Sequence, residues 1–418
     1  NSWSRECINF RFAYRCVASD CTISFGWYYA IGTTYDYGFS ADGSTECAWR
    51  NCHVSNTRHA FSADRGSSGL IYYGCTSDNG TAGAFDLHGG FCTDITYAFC
   101  TATASDTRNS DGQKQGFIAG NTSYVSGVSH ITYIGCVVRA YGAYTPNGSG
   151  SADGDGIGFC IVDGASNIRI IDCKVYDSMY GIYIESAATP SHTPGGAPIS
   201  DVVVQGCEFN NINIGGAPLP WITKLISGGA HAISDIHFRD NTIVNNTLTA
   251  SARLYGATGN PIPGLVVENN TWRGPGVAGV FPLDIRDCTA PLVDGNKFVA
   301  TRRGVTLQNS PGAVVAGNTF FKLVDGASAS NIVYDAGGNT GIVVGRNKIA
   351  GTAITGVGSA PSSSGAQVEL MPMPAAYTTT GRPPAAAVGA GATYFDTTLG
   401  KPGWSNGSTW RDAAGTTI

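Results

Sequence analysis

The sequence predicts an all-β fold, a right-handed parallel β-helix with a small C-terminal β extension. Three observations predict it: the composition, a recurring strand–bend–strand segment, and a column of cysteines that passes into a column of asparagines. Of the 418 residues, 57 are Gly and 55 are charged (25 Lys+Arg plus 30 Asp+Glu). Gly is therefore about 14% where roughly 7% is usual, and charge is 13% where roughly 25% is usual. Both shifts count against helices, because Gly costs helix stability and surface helices need charged faces, which excludes coiled coils, helix bundles and charged disordered tails. With 42% hydrophobic residues the chain can bury a large core, yet no apolar run approaches the roughly 18 residues of a spanning helix. The net charge of −5, without a Lys/Arg cluster, removes the footprint of nucleic-acid binding. Neither a nucleic-acid partner nor membrane insertion is expected.

The repeat has the form apolar-x-apolar-x-x-(Cys or Asn)-x-apolar. It reads ITYIGCVV at Cys136, IRIIDCKV at Cys173, VVVQGCEF at Cys207, IHFRDNTI at Asn241 and LVVENNTW at Asn270, then continues through Asn296, Asn318 and Asn347. Looser copies place Cys21, Cys52, Cys75 and Cys100 in the same slot. The mean interval, about 30 residues, is that of a solenoid. Alternation at period two marks each copy as a strand, and the small or amide residue marks a bend. A second strand precedes most bends: HAFSAD (59–64), GAFDLH (83–88), QGFIAG (115–120), GIGFCIV (156–162), YGIYIE (180–185), RGVTLQ (303–308) and NIVYD (331–335). Two or three short strands per turn, stacked on themselves, make a parallel β-helix over residues 1–350.

Stacked coils repeat a side chain about every 4.8 Å, which explains the cysteines. Buried thiols act as small hydrophobes, and a buried amide stack satisfies its donors and acceptors along the axis. The 13 cysteines form no C-x-x-C pair, so metal and redox roles give way to packing, and reduced interior thiols suit a reducing cytoplasm. After Asn347, residues 351–392 become Ala/Gly/Pro/Ser-rich and read as a linker or thin coil. Residues 393–418 alternate aromatics around G-K-P-G and S-N-G, the mark of small hairpins. The chain starts at Asn1 with no targeting pattern, and is expected to lack its natural N-terminus.

The coil, together with the ending GATYFDTTLGKPGWSNGSTWRDAAGT (391–416), resembles bacteriophage tailspike or tail-fibre depolymerases of the pectin-lyase-like superfamily. The coil is shared by many polysaccharide-acting enzymes, whereas the ending resembles a short terminal segment of phage tail proteins. The resemblance implies a homotrimer and a missing N-terminal segment that attaches to the phage tail or baseplate. It further implies a place on the virion tail, and binding or cleavage of a bacterial surface polysaccharide (capsule, exopolysaccharide or O-antigen).

Insertions locate function on a solenoid, because coils must stack and loops need not. From the bend to the core residue of the next second strand is 9 residues after Cys52 and Cys173, but 17 after Cys100 and 23 after Cys136. Loops 101–115, 139–155 and 186–198 thus flank one strand face as a groove. Parity sets Ser62/Asp64, Asp86/His88, Ile118/Gly120, Cys160/Val162 and Tyr183/Glu185 outward, leaving two polar stations separated by two apolar coils. At the first, Asp86 and His88 lie about 6.6 Å apart on one face. Asp64 and Asp86 lie roughly 8 Å apart on a diagonal, inside the inverting range of about 6.5–9.5 Å. At the second, Glu185 is about 14 Å from Asp86 along the axis and would pair instead with Asp163, Asp153 or Asp155. A solvated carboxylate is the plain alternative for each of these acids.

The Asp-x-His pair also resembles the D-P-H motif of alginate epimerases and lyases, with Gly83 where that motif has Tyr and Gln115 near where a further Asp would fall. If the reaction is eliminative, His88 abstracts the proton while Asp86 or Arg139 tempers a uronate charge; if hydrolytic, Asp64 and Asp86 act as acid and base. Tyr141, Tyr144, Tyr183 and Trp221 offer flat faces to sugars, while Trp272 follows the interior parity. The stretch ADGDGIG (152–158) lacks the ligand spacing of a calcium loop and the G-x-G-x-x-G of a dinucleotide site, so no metal and no cofactor is expected. An endo-acting hydrolase is the leading expectation, with a polysaccharide lyase, a non-catalytic receptor-binding spike and a purely structural tail component as alternatives.

Overall fold

The computed structural model describes residues 5–24, 36–80, 83–87, 90–104, 115–120, 127–140, 156–162, 164–178, 180–186, 198–212, 221–227 (backbone only), 232–244, 251–256, 260–274, 283–301, 304–321, 333–335, 337–350, 375–412 and 414–418. Among them, three parallel sheets of 12 strands each take one strand from every coil in chain order, and Ile262–Pro263 with Cys288–Thr289 forms an additional two-stranded parallel sheet. One coil contributes, for example, Gly83–Leu87 to the first sheet, Thr93–Ala98 to the second and Thr101–Thr103 to the third. The next coil pairs with it strand for strand, parallel and in register. This is a parallel β-helix, from Arg5–Arg11 to Lys348–Ala350. The Cys/Asn slot falls in the bend between the second and third sheets, as in Ser166–Ile171, Cys173, Lys174–Tyr176.

That bend is a continuous interior ladder. Cys136 and Cys173 thiols each donate to a carbonyl of the preceding coil, Tyr97 at 3.3 Å and Tyr133 at 3.5 Å. Burial pushes the Cys52 thiol up to about 11 and holds Cys100 and Cys173 well above the ordinary thiol value. No disulfide joins the described cysteines. At the changeover the Cys207 N–H donates to Asn241 Oδ1 (2.9 Å), and the Asn241 amide then donates to Asn270 (2.9 Å), Asn270 to Asn296 (2.9 Å), Asn296 to Asn318 (3.0 Å) and Asn318 to Asn347 (3.0 Å). Every amide is thereby both donor and acceptor along the axis, which is what a dry interior requires.

Aromatic ladders fill the N-terminal half of the core. Phe39, Phe61, Phe85, Phe117 and Phe159 of the first sheet stack at centroid spacings of 5.3, 4.8, 4.6 and 5.1 Å. Trp49, Tyr72, Tyr97 and Tyr133 of the second sheet stack beside them at 4.7, 4.6 and 5.1 Å and meet them edge to face. Just before each Phe the backbone departs from strict alternation. Ala60 and Phe61 both enter the core, as do Ala84 and Phe85. The slot before the aromatic must be small: a Cβ on Gly158 would lie 2.5 Å from the Gly181 carbonyl oxygen. Trp272 stacks inside on Phe298 at 6.2 Å.

Residues 351–374 lie outside the described residues. Beyond them a separate four-stranded sheet comprises Ala375–Tyr377, Ala390–Asp396, Lys401–Asn406 and Trp410–Arg411, with a one-turn helix at Ala385–Val388. The last three strands are antiparallel, as the hairpin signals predict, while the first pairs parallel. Buried Asp396 holds the sheet together by accepting from Thr379 Oγ1, Tyr394 Oη and the N–H groups of Thr398 and Leu399.

Candidate functional site

The outward face of the first sheet carries chemistry in two sections. In the N-terminal section, Asp86 aligns with Ser62 on one side and Ile118 on the other. The parity argument places Asp86 on this face, yet the residue is 1% exposed, so the expectation of a carboxyl open to a groove is corrected. Its Oδ2 lies 2.7 Å from Nδ1 of His59, itself 2% exposed and stacked on Tyr37 at 4.9 Å. His59 reaches Asp86 across Gly83, its own partner in register. A Cβ at Gly83 would stand 2.7 Å from Ile118 Cδ1 and 3.1 Å from Asp86 Cβ, so the missing side chain is what leaves the diagonal open. Sequence reasoning missed His59 because strict alternation puts it inside; the paired inward residues Ala60 and Phe61 turn it outward.

Asp64 is partly exposed and sits in register with Asp42 of the preceding coil, accepting from its neighbour's N–H, that of Arg65, at 2.7 Å. Asp42 in turn is held by Arg11 (3.3 Å) and Arg65 (3.2 Å). His88, Tyr141, Tyr144, Asp153, Asp155 and Asp163 lie outside the described residues. Arg139 belongs to the third sheet rather than the first, is exposed, and lays its guanidinium 5.2 Å from the Tyr176 ring. It is therefore not on the face that carries Asp86.

The C-terminal section begins with an apolar cover. Ile157, Cys160, Val162, Tyr180 and Tyr183 form a buried cluster on this outward face, with Ile118 and Tyr255 packed against it. The later of the two middle coils is thus apolar and buried outside as well as inside, whereas the earlier one carries buried Gln115 and half-buried Ile118 outward. At its edge the Tyr183 hydroxyl donates to the Glu185 carboxylate, which is partly exposed, so this predicted station is brought together by the fold. Further along, sequence reasoning missed Arg253, Tyr255, Asp284 and Arg286. Arg253 aligns with Asp284 and Tyr255 with Arg286. Asp284 accepts from Tyr255 Oη (2.5 Å), Arg286 Nε (3.1 Å) and Arg286 Nη2 (3.0 Å). Burial, and then the hydrogen bond to Asp284, push the Tyr255 hydroxyl far above the ordinary phenol value, so it is a proton donor and not a base at neutral pH. Glu185 and Asp284 are three coils apart, roughly 14 Å, too far to act on one glycosidic bond.

No family model matches the chain, and no curated protein matches it. Among solved structures, the chain is similar to tailspike protein 3 of bacteriophage CBA120, at 14% identity and a TM-score of 0.27 over 98% of this chain and 59% of that one. It is also similar to the Streptococcus pneumoniae surface protein and adhesin PfbA, at 10% identity and a TM-score of 0.40 over 82% of this chain and 91% of that one. The chain thus spans about 59% of the tailspike's length. At these scores the functional reading has to come from the residues.

Proposed function

We propose that this chain is the β-helix body of a phage tailspike that binds a bacterial surface polysaccharide and depolymerises it by endo-glycosidic hydrolysis, working as a homotrimer attached to the virion through a preceding segment. One observation carries the reading: on the outward face of the first sheet, Tyr183 and Glu185 in one coil and Arg253, Tyr255, Asp284 and Arg286 in two later, neighbouring coils set aromatic and charged side chains on the same register lines. A solenoid needs nothing but solvated residues there, whereas a sugar chain needs flat rings and hydrogen-bonding charges along one line. Glu185, held by Tyr183, is the acid or base within reach of solvent; its partner carboxylate is sought among Asp153, Asp155 and Asp163. Sealing of Asp86 against His59 favours, as second reading, a spike that binds without cutting.

The test is release of reducing ends from purified capsule and lipopolysaccharide, with absorbance of unsaturated uronate read in parallel to detect a lyase. Glu185→Gln, Asp86→Asn and His88→Ala are compared in one assay. Removing a positioned acid or base lowers the rate by about 10²–10⁴-fold. Loss in Glu185→Gln alone supports the C-terminal section. Loss in Asp86→Asn or His88→Ala, with Glu185→Gln fully active, moves the site back to the first station. Binding without any reducing ends establishes the spike that does not cut.

A further inference from the structure

Four side chains in two neighbouring coils are organised more tightly than a solvated face requires. Arg253 and Tyr255 flank core residue Leu254, and Asp284 and Arg286 flank core residue Ile285, so all four project outward from the first sheet. Asp284 is spent internally: its two oxygens take Arg286 Nε, Arg286 Nη2 and Tyr255 Oη, and its side chain is 9% exposed. Arg286 is fixed in plane by those bonds, yet its side chain stays 37% exposed. Its guanidinium carbon lies 4.5 Å from the Tyr255 ring centroid, and that of Arg253 lies 5.7 Å away. Lys224 aligns with Arg253 one coil earlier. Over the coils of Ser251–Tyr255 and Leu283–Arg286, two cations and one carboxylate thus occupy this face of a chain whose net charge is −5.

A guanidinium carries five N–H donors in a rigid fork, and a carboxylate that engages two of them orients the rest without quenching them. An aromatic ring stacked beside two guanidinium groups presents an apolar plate next to concentrated positive charge. We propose that Arg253, Tyr255 and Arg286 form a binding site for the acidic group of a sugar residue, a carboxylate or a sulfate, with Asp284 as the positioning residue. The inference rests on the glycan-binding reading above and names the class of glycan. Tyr255 also touches the apolar cluster that contains Tyr183, so the site is continuous with the Tyr183–Glu185 station. Glu185 lies two coils from Tyr255, roughly 10 Å, so the acidic group would be held beside the bond to be cut rather than on it.

The experiment is calorimetric titration of the full chain with polygalacturonate, dextran sulfate and neutral dextran over a range of salt. At least one charged polymer is expected to bind while dextran does not, and the two charged arms separate carboxylate from sulfate. Arg253→Gln and Arg286→Gln should each weaken that binding at least tenfold and shallow its salt dependence. Arg286→Lys, which keeps the charge without the fork, should fall between. Arg50→Gln, an exposed arginine of the second sheet, should change nothing. If Arg286→Gln fails to fold, Arg253→Gln carries the comparison, since Asp284 and Arg286 keep each other. Binding to neither charged polymer, equal binding to dextran, or an equal loss in Arg50→Gln overturns the proposal. Activity that Glu185→Gln abolishes would leave the depolymerase reading standing in each of those cases.

Discussion

Asn270 lies in the middle of the amide ladder, and removing its side chain has a cost that can be worked bond by bond. Asn270 Oδ1 accepts from the Asn241 N–H (3.0 Å) and from Asn241 Nδ2 (2.9 Å). Its Nδ2 donates to the Phe238 carbonyl (2.9 Å) and to Asn296 Oδ1 (2.9 Å). In Asn270→Ala, Asn241 Nδ2 keeps the Val204 carbonyl and Asn296 Oδ1 keeps the Asn270 N–H. The Asn241 N–H loses its partner in a dry interior, while the Phe238 carbonyl stays in the parallel ladder with the strand of Val267. At about 1–3 kcal/mol for the orphaned N–H, the loss is about 1–3 kcal/mol. Asn270→Asp is isosteric but replaces the donor by an oxygen that faces two others. Its burial raises the folded-state pKa above the unfolded value of about 3.9, so the folded state holds the proton more tightly. The penalty is therefore small below that value and grows as pH rises through it toward the raised one.

The assay is urea unfolding with hydrogen exchange on peptides from residues 233–299, each variant compared with the parent at every pH from 4 to 8. Coils contact their neighbours alone, so faster exchange should centre on this segment. An Ala variant within half a kcal/mol of the parent, or an Asp variant whose deficit does not change with pH, would refute the ladder as a source of stability.

Phe117, fully buried between Phe85 (4.6 Å) and Phe159 (5.1 Å), should cost about 3–5 kcal/mol on truncation to Ala, read as a lower urea midpoint. His59→Ala leaves Asp86 buried without its imidazole 2.7 Å away and should cost a similar amount, about 3–5 kcal/mol, whereas Asp64→Asn should stay near zero in the same melt. In the C-terminal sheet, burial opposes ionisation of Asp396, but the N–H of Leu399, the hydroxyls of Tyr394 and Thr379 and the N–H of Thr398 outweigh it and lower its pKa. That stability is complete above the unfolded carboxylate value of about 3.9 and lost as pH falls through the lowered one, so exchange protection of residues 390–406 should collapse there in the parent and be weak at every pH in Asp396→Asn.

The interior of the helix was legible because stacking forces it to be. A slot repeated every 4.8 Å inside a dry bend admits thiol or amide and little else, so Cys173 and Asn270 announce their own position. The first-sheet strands at Arg5–Arg11, Asp36–Asp42 and Trp221–Ser227 escaped notice, since outward positions answer to no neighbour and blur the alternation, and those at Ser251–Tyr255 and Leu283–Arg286 escaped it although their alternation is clear. His59 was hidden by a local departure from period two. The Arg253–Arg286 group was not hidden in that sense: R-L-Y and D-I-R alternate cleanly, and carrying the parity past Glu185 would have found it. In the C-terminal region the hairpin turns were readable, but nothing local in A-A-Y (375–377) signals a parallel partner 19 residues later.

Polar residues on the outside of a β-helix sheet have two fates, and this chain shows both on one face. His59 Nδ1 and Asp86 Oδ2 face each other at 2.7 Å, and both residues are closed to solvent. Asp284 spends its oxygens on the fold, but in doing so it orients an arginine that remains one-third exposed. Exposure of the oriented partner is what the proposed binding site at Arg253, Tyr255 and Arg286 rests on, and the His59–Asp86 pair lacks it. The Asp-x-His at 86–88, the most suggestive motif in the sequence, begins with a carboxyl that is 1% exposed and 2.7 Å from His59.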